Sequence, residues 1–228
     1  MTDITLFYAP GSCARVPLIA LEETGVSYNL ELVAFAAGEH KKPAFKQINP
    51  KGKVPVLVFG DTVVTENVAI LTFLGQQFPN ARLFPDPASG VSQIECLSDL
   101  SFASSTLHPI VTRLRMSPTF AGSASAQAVW DIAAKAMDEF FGLIESRLAN
   151  RDWWYGSDWA IIDGYLNWVF FRVAGAGYDT SRFPAFERHA RACADRPSIQ
   201  RALRIEREQE LILDGRGLLF VPPSPPFD

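Results

Sequence analysis

Cys13 is the residue of this chain whose type and position are best suited to covalent chemistry. It lies in the stretch YAPGSCARVPL, residues 8–18, where a short apolar run changes into a helical pattern. A helix that begins near Ser12 would place free N–H groups and the positive end of its dipole beside the sulfur. Such charge favours the thiolate, so the position predicts a lowered pKa and a reactive thiol. Two alternatives stay open: an inert, buried Cys13, or a Ser12 hydroxyl that caps the helix or bonds a bound thiolate.

Two further stretches suit the binding of a peptide-like ligand. In KVPVL, residues 53–57, a cis Val54–Pro55 bond would turn the N–H and C=O groups of Val54 outward, where an extended peptide can pair with them. The sequence leaves the isomer open, and trans is the commoner form. In TENVAI, residues 65–70, the helix N-terminus attracts an anion and Glu66 would bind an ammonium group, so an amino-acid-like head group would fit. Plain capping of the helix by Asn67 is the alternative.

The elements that must position these residues follow the order β-α-β and then β-β-α. Strands are predicted in ITLFYA, in SYNLELVAF, in the Val/Leu run of KVPVLVF and in the partner strand after the GDT turn. Helices are predicted in VPLIALEET, which Gly25 ends, and in ENVAILTFLGQQF. A loop rich in Ala, Gly, His and Lys precedes the third strand. This order predicts a small mixed sheet with helices packed on it.

The rest of the chain has a different character. Residues 79–90, PNARLFPDPASG, have linker composition, and no strand pattern follows them. Helical patterns cover residues 91–116, 125–149, 161–175, 184–195 and 197–213, and a proline-rich tail comes after them. The sequence therefore predicts an α/β domain over residues 1–80, a linker over 81–90 and an all-helical domain with a proline-rich tail over 91–228.

Composition excludes several classes of function. The 228 residues are 48% hydrophobic and 20% charged, which is typical of a globular chain. The net charge of -4 leaves no basic stripe for nucleic acid, and no apolar run approaches the ~20 residues that span a bilayer. The N-terminus begins acidic and enters a strand at once, which is not typical of a signal peptide. Three distant cysteines predict neither a disulfide framework nor a zinc site. We therefore expect a cytoplasmic protein without metal, nucleic-acid or membrane partners.

The ordered motifs PGSC, NPKGKVPVL and TENVAI, with a proline-rich linker and a helical region after them, resemble the glutathione transferase superfamily. YGSDWAIIDGYL is similar to the helix-capping segment of the family's second domain, and RPSIQRAL is similar to its penultimate helix. The resemblance extends over nearly the whole chain. It implies an α/β thioredoxin-like N-terminal domain followed by an all-α C-terminal domain that forms the hydrophobic substrate site.

Within the superfamily, FYAPGSC is most similar to the bacterial beta class, which has a cysteine at this point. The resemblance implies that His108, in FASSTLHPIV, faces the thiol of bound glutathione, although a lone histidine would more often be an ordinary helix residue. It also implies that Ser101 and Ser105 reach glutathione held by the partner subunit. For glutathione in the first domain, it implies contacts to the backbone beside Pro55 and to four further residues: Lys53, Val54, Glu66 and Asn67.

Several positions depart from the family pattern. Pro109 stands where the beta class commonly has a lysine, and Asn67 replaces a serine. Ala160 stands where the capping segment has Ser or Thr, so its capping box with Asp163 is half present, and such a loss costs about 1 kcal/mol. Arg15 is open to two interpretations, an ion pair across the domain interface or a solvated helix arginine.

The resemblance implies a cytosolic, homodimeric glutathione transferase. Glutathione would be its co-substrate, an apolar electrophile its second substrate, and Ser12, Cys13 and His108 its catalytic groups. Two alternatives remain. One is a glutathione-dependent thiol–disulfide oxidoreductase that acts through Cys13. The other is a non-catalytic, ligand-binding member of the fold.

Overall fold

The computed structural model describes residues 3–223. The chain separates into two compact units: Met1–Leu83 with Arg196–Phe220, and Phe84–Asp195 with Val221–Asp228. The break between Leu83 and Phe84 falls within residues 81–90, and the predicted domain boundaries stay a prediction. The proline-rich tail is described as far as residue 223, and residues 224–228 lie outside the described part.

The strands are β1 (Ile4–Tyr8), β2 (Asn29–Leu32), β3 (Val56–Phe59) and β4 (Thr62–Thr65). The helices are α1 (Arg15–Thr24), α2 (Pro43–Ile48), α3 (Asn67–Gln77), α4 (Gln93–Ser101), α5 (His108–Arg115), α6 (Ser117–Ala121), α7 (Ala126–Leu148), α8 (Ile161–Ala174), α9 (Pro184–Ala194) and α10 (Pro197–Gly215). A π-helical segment, Phe102–Leu107, joins α4 to α5.

The first unit is built on one four-stranded sheet in the order β2-β1-β3-β4. β1 pairs with β2 in parallel and with β3 antiparallel, and β3 pairs with β4 antiparallel. Ile4, Leu6 and Tyr8 are buried, whereas the residues between them are half-buried, because successive strand side chains point to opposite faces. The mixed sheet that the sequence predicts is confirmed.

Helices α1, α3 and α10 belong to this first unit, and α1 packs against both of the others. α1 ends at Gly25, whose φ of 68° is the left-handed conformation that glycine adopts readily, and whose N–H bonds Leu21 O. Residues 43–48 fall in the predicted loop, but they form α2. Pro43 provides a favourable first helical residue, and Phe45 supplies one buried anchor.

The described residues of the second unit form helices joined by loops, with an isolated β-bridge between Trp153 and Gly156. α8 is buried along most of its length, and aromatic rings of α7, α8 and α9 pack together in the core: Phe141, Phe170, Phe183 and Phe186. The helical pattern predicted over residues 91–116 corresponds to α4, the π-helical segment and α5, and the pattern does not indicate the π-helical segment. A sequence period of 3.6 residues does not reveal such a local change in the hydrogen-bond pattern.

A buried carboxylate organises the start of α8. Asp163 accepts the N–H groups of Ala160 and Trp154 at 2.8 Å each, and it lies 2.8 Å from Nε2 of His189. Ala160 has no side-chain oxygen, so the capping box is half present, as the sequence predicts. Trp154 and His189 supply the additional contacts of the carboxylate.

In residues 3–223, no helix is both long and apolar enough to cross a membrane. Within the same part of the chain, no three His, Cys, Asp or Glu side chains gather into a metal-binding group.

Candidate functional site

The turn between β1 and α1, residues 9–14, is the centre of the candidate site, and we call it the Cys13 turn. The Ser12 hydroxyl donates to Ala9 O at 2.6 Å and accepts the N–H of Ala14 at 3.2 Å. α1 begins at Arg15, so Ser12 and Cys13 lie in the turn that precedes the helix. Because a hydroxyl has one hydrogen to donate, Ser12 must release Ala9 O before it can bond a thiolate.

Cys13 lies where three segments of the first unit meet. Its Sγ is 3.9 Å from Val54 O, and Asn67 Nδ2 donates to Cys13 O at 3.2 Å. The residue as a whole is half-buried, but protein surrounds its sulfur. Burial raises the pKa of the thiol to about 12, although its own backbone N–H and the Asn67 amide act in the opposite direction.

The predicted lowering of the Cys13 pKa is therefore wrong. The helix begins two residues after Cys13 rather than near Ser12, and enclosure of the sulfur outweighs the nearby donors. A catalytic role for Cys13 stays a prediction, as does one for Ser12.

The segment before β3 presents backbone groups beside this turn. The Val54–Pro55 peptide, whose isomer the sequence left open, is cis. Val54 and Pro55 are buried, whereas the side chain of Lys53 is exposed. Lys53 O accepts a 2.7 Å hydrogen bond from Asn49 Nδ2, which anchors the loop.

The start of α3 carries the other two predicted residues of this unit. Glu66 is the cap residue with a φ of 74°, and Asn67 is the first helical residue rather than the cap. The carboxylate of Glu66 is exposed and lies 2.5 Å from Lys51 Nζ, which also bonds Thr65 Oγ1 at 2.8 Å. Sequence reasoning missed Lys51, whose ammonium group contacts the carboxylate that was predicted to bind the ammonium group of a ligand.

A buried ion pair supports the turn from α10. Glu206 accepts hydrogen bonds from Arg15 Nε at 2.5 Å and Nη2 at 2.9 Å, and it also accepts the backbone N–H of Gly11. Burial alone would lower the pKa of Arg15, but the adjacent carboxylate raises it. Arg15 is thus buried in an ion pair with α10 rather than solvated.

The helical pattern of α10 could have predicted the ion pair between Arg15 and Glu206. Buried positions of α10 follow a helical stripe that contains Ile199, Ala202 and Leu213, and Glu206 falls on the same stripe. A carboxylate in a buried stripe requires a cation as its partner. Arg15 begins the apolar run of α1 and was the available candidate.

The remaining predicted residues lie in the second unit, around the π-helical segment. Ser105 Oγ donates to Ser101 O at 2.6 Å, and both serines are exposed. The His108 ring lies edge-on to Trp168, with centroids 4.8 Å apart, and its Nδ1 is 3.4 Å from the Tyr165 hydroxyl. π-helical segments are frequent at functional sites.

The first unit therefore brings together Ser12, Cys13, Val54 and Asn67, with Lys53 and Glu66 beside them in the chain. Ser101, Ser105 and His108 belong to the second unit. Their predicted approach to glutathione stays a prediction.

Comparison with known proteins gives a consistent family assignment. A family model described as the N-terminal domain of glutathione S-transferase matches residues 2–76. The chain is 26% identical over 203 residues to glutathione S-transferase GstA of Escherichia coli O157:H7, and the match covers 88% of this chain and 98% of that relative.

Two solved bacterial structures are similar as well. A sphingomonad glutathione S-transferase complexed with glutathione is 33% identical, with a TM-score of 0.76, and the match covers 89% of this chain and 98% of that one. A beta-class enzyme of Sphingomonas chungbukensis is 32% identical with a TM-score of 0.77, at 89% and 98% coverage. On this fold and this similarity, the chain belongs to the glutathione S-transferase superfamily, and it resembles the bacterial beta class.

Proposed function

We propose that this protein is a glutathione transferase that activates the thiol of bound glutathione for attack on a hydrophobic electrophile. The observation that carries the proposal is the meeting of three segments at Cys13. Its Sγ lies 3.9 Å from Val54 O, and its carbonyl accepts the Asn67 amide at 3.2 Å. Exposed Lys53 and Glu66 adjoin Val54 and Asn67 in the chain, so an ammonium group and a carboxylate occur beside these backbone groups, as an extended zwitterionic peptide requires.

Each part of glutathione has a suitable partner among these residues. The γ-glutamyl ammonium would bind Glu66, and the neighbouring carboxylate would bind at the N-terminus of α3, beside Asn67. The cysteinyl backbone would pair with Val54 beside Pro55. The glycyl carboxylate would bind Lys53, whose side chain is exposed.

The reacting sulfur in this proposal belongs to glutathione rather than to Cys13. With the pKa of Cys13 at about 12, about one molecule in 100,000 carries its thiolate at pH 7. Glutathione would lose its thiol proton to solvent on binding, and the thiolate would form a carbon–sulfur bond as the leaving group departs with its electron pair. The backbone N–H of Cys13 would stabilise that charge, and His108 stays a predicted contributor from the second unit.

The test is a comparison of the wild-type protein with Cys13→Ala. Glutathione binding is measured by calorimetry, and conjugation is measured with a halogenated nitrobenzene. We expect binding in both proteins and a partial loss of conjugation in the variant. Absence of glutathione binding at millimolar concentration would contradict the proposal.

The same variant separates the alternatives. A thiol–disulfide oxidoreductase would lose all exchange activity with Cys13→Ala, because the mixed disulfide forms on that sulfur. A non-catalytic protein would bind glutathione and show no turnover in either form. The high pKa of Cys13 supports conjugation over exchange.

The proposal also includes a homodimer in the cytoplasm. Ser101 and Ser105 of one subunit would contact glutathione bound by the other, and both side chains are exposed in the structure. The second substrate is proposed to be apolar, but most phenylalanines of α7, α8 and α9 are core residues and do not support that choice. Light scattering with and without glutathione measures the oligomeric state.

A further inference from the structure

One carboxylate connects α10 to two points around the Cys13 turn. Glu206 accepts both hydrogen bonds of the Arg15 fork, at 2.5 and 2.9 Å, and the same side chain accepts the N–H of Gly11. Arg15 begins α1 directly after the turn, and Gly11 lies within it. The two ends of residues 11–15 are thus held by one side chain that is 191 to 195 positions away in sequence.

The charges of this cluster are balanced and shielded from solvent. The side chains of Arg15 and Glu206 are 10% and 3% exposed. The other titratable groups that act on Arg15 are Tyr8 and Glu210, and Glu206 acts on it more strongly than either. An apolar pair of similar volume would generally stabilise a fold as well as a buried ion pair does. The property that an apolar pair lacks is an acceptor for the Gly11 N–H.

The acceptor for the Gly11 N–H affects the conformation of the Cys13 turn. Its φ of 70° is in the left-handed region, and the residue is buried two positions before Cys13. On the other side of the turn, Asn67 Nδ2 binds Cys13 O. Residues 11–13 are therefore held at one end by Glu206 and at the other by Asn67.

We propose that Glu206, itself oriented by Arg15, is a positioning residue that fixes the Cys13 turn against the sulfur of bound glutathione. This inference rests on the proposed function. Glu206 touches neither glutathione nor the reacting atoms in this account. It acts through Gly11, whose fixed position aims the backbone N–H of Cys13 at the thiolate, since the N–H groups of Gly11, Ser12 and Ala14 donate within the protein. A loosened turn would stabilise that thiolate less, so the pKa of the bound thiol would rise.

Two matched double variants isolate the acceptor. Arg15→Met/Glu206→Gln removes both charges and keeps a side-chain oxygen for Gly11. Arg15→Met/Glu206→Met removes both charges and the oxygen. Each pair is uncharged, so neither leaves a buried ion without a partner. Arg15→Met/Glu206→Leu provides a second apolar version if the first unfolds.

A third double variant controls for the loss of an ion pair between the same two helices. Arg201 Nε binds Glu22 Oε2 at 2.5 Å and also joins α10 to α1, but neither residue bonds the Cys13 turn. Glu22→Gln/Arg201→Met breaks that pair and keeps an acceptor for the Tyr28 hydroxyl, which bonds Glu22 Oε1 at 2.5 Å.

Three readouts are measured on each protein: thermal unfolding, exchange of the Gly11 amide proton by NMR, and the ultraviolet absorbance of the glutathione thiolate as a function of pH. We expect the apolar pair to speed Gly11 exchange and to shift the thiolate titration upward. A rise of one pKa unit lowers the thiolate fraction at neutral pH by up to about tenfold, and kcat should fall with it while the Kd for glutathione changes less. The Gln pair and the control should titrate like the wild type.

The outcomes distinguish the two proposals. Equal thiolate titrations in the Gln and Met pairs, with a normal wild-type signal, would overturn the role of Glu206 and leave the transferase proposal intact. Absence of a thiolate signal in the wild-type protein would overturn the transferase proposal and this inference with it. A change in thermal unfolding alone would assign Glu206 to the fold rather than to the site.

Discussion

Two ion pairs in the first compact unit differ in their surroundings far more than in their chemistry. Arg15 and Glu206 are 10% and 3% exposed, whereas Lys51 and Glu66 are 50% and 68% exposed. The buried carboxylate accepts three hydrogen bonds from fixed donors. The exposed carboxylate bonds one flexible ammonium group and is free to exchange it for another cation. The buried pair is therefore suited to positioning, and the exposed pair is suited to exchange with a ligand.

The largest loss of stability should come from removing one partner of the buried ion pair. Glu206→Ala leaves the Arg15 guanidinium enclosed without its counter-charge, which should cost about 3–5 kcal/mol. Arg201→Ala, at the partly exposed pair between the same helices, should cost about 1 kcal/mol or less. Urea unfolding measures both. Equal losses would show that burial is not what separates the two pairs.

The next largest effect should be on the reactivity of Cys13, because protein encloses its sulfur. Because burial raises the pKa of this thiol from 9.0 to about 12, alkylation by iodoacetamide at pH 8 should be slower in the native protein than in urea, by about a thousandfold. The Cys13 thiol is neutral at a pH below both of these pKa values. Its contribution to the free energy of unfolding is therefore present below pH 9 and is lost between pH 9 and 12.

Peptide mass spectrometry separates Cys13 from Cys96 and Cys193, which are both buried. Rapid alkylation of Cys13 in the native protein at pH 7 would contradict the raised pKa. It would also restore thiol–disulfide exchange at Cys13 as a candidate function.

The hydrogen bond from the Asn67 amide to Cys13 O is the second contact that anchors the Cys13 turn, and a substitution at Asn67 tests it. Asn67→Ala removes a buried donor and leaves Cys13 O without that bond, which should cost about 1–3 kcal/mol. Asn29→Ala is the matched control, since its amide bonds Asp3 at 2.9 Å on the surface. The control should change the free energy of unfolding by about 0.5 kcal/mol or less. If denaturant unfolding gave equal losses of free energy for the two variants, Asn67 would not be an anchor of the turn.

Local patterns accounted for the sheet and most helices because each depends on a short sequence period. The alternation of β1 and the glycine stop of α1 are local features. The π-helical segment was missed because its hydrogen bonds change without a change in hydrophobic period. α2 was missed because it is six residues long and has one buried side chain.

The candidate site was harder to predict because its chemistry depends on tertiary contacts. The motifs around Cys13, Pro55 and Glu66 identified the segments, but not the enclosure that raises the Cys13 pKa. The contacts of Glu206 with Gly11 and Arg15 join residues far apart in the chain, and no local pattern specifies them. Lys51 was overlooked because its role depends on its distance from Glu66.

The smallest stability effect should come from the exposed pair, and here the two partners should differ in their effect on binding. Lys51→Met and Glu66→Gln break the same contact, and each should change the free energy of unfolding by about 0.5 kcal/mol or less.

If Glu66 exchanges Lys51 for the γ-glutamyl ammonium, only Glu66→Gln removes a ligand contact. Its Kd for glutathione should rise about tenfold, the typical effect of a lost charge-assisted hydrogen bond. Lys51→Met should bind as tightly as the wild type or more tightly, because the competing cation is gone. Calorimetry at two salt concentrations measures both variants. An equal loss of affinity in the two would mean that the pair acts as a fixed unit, which is the property assigned above to the buried pair alone.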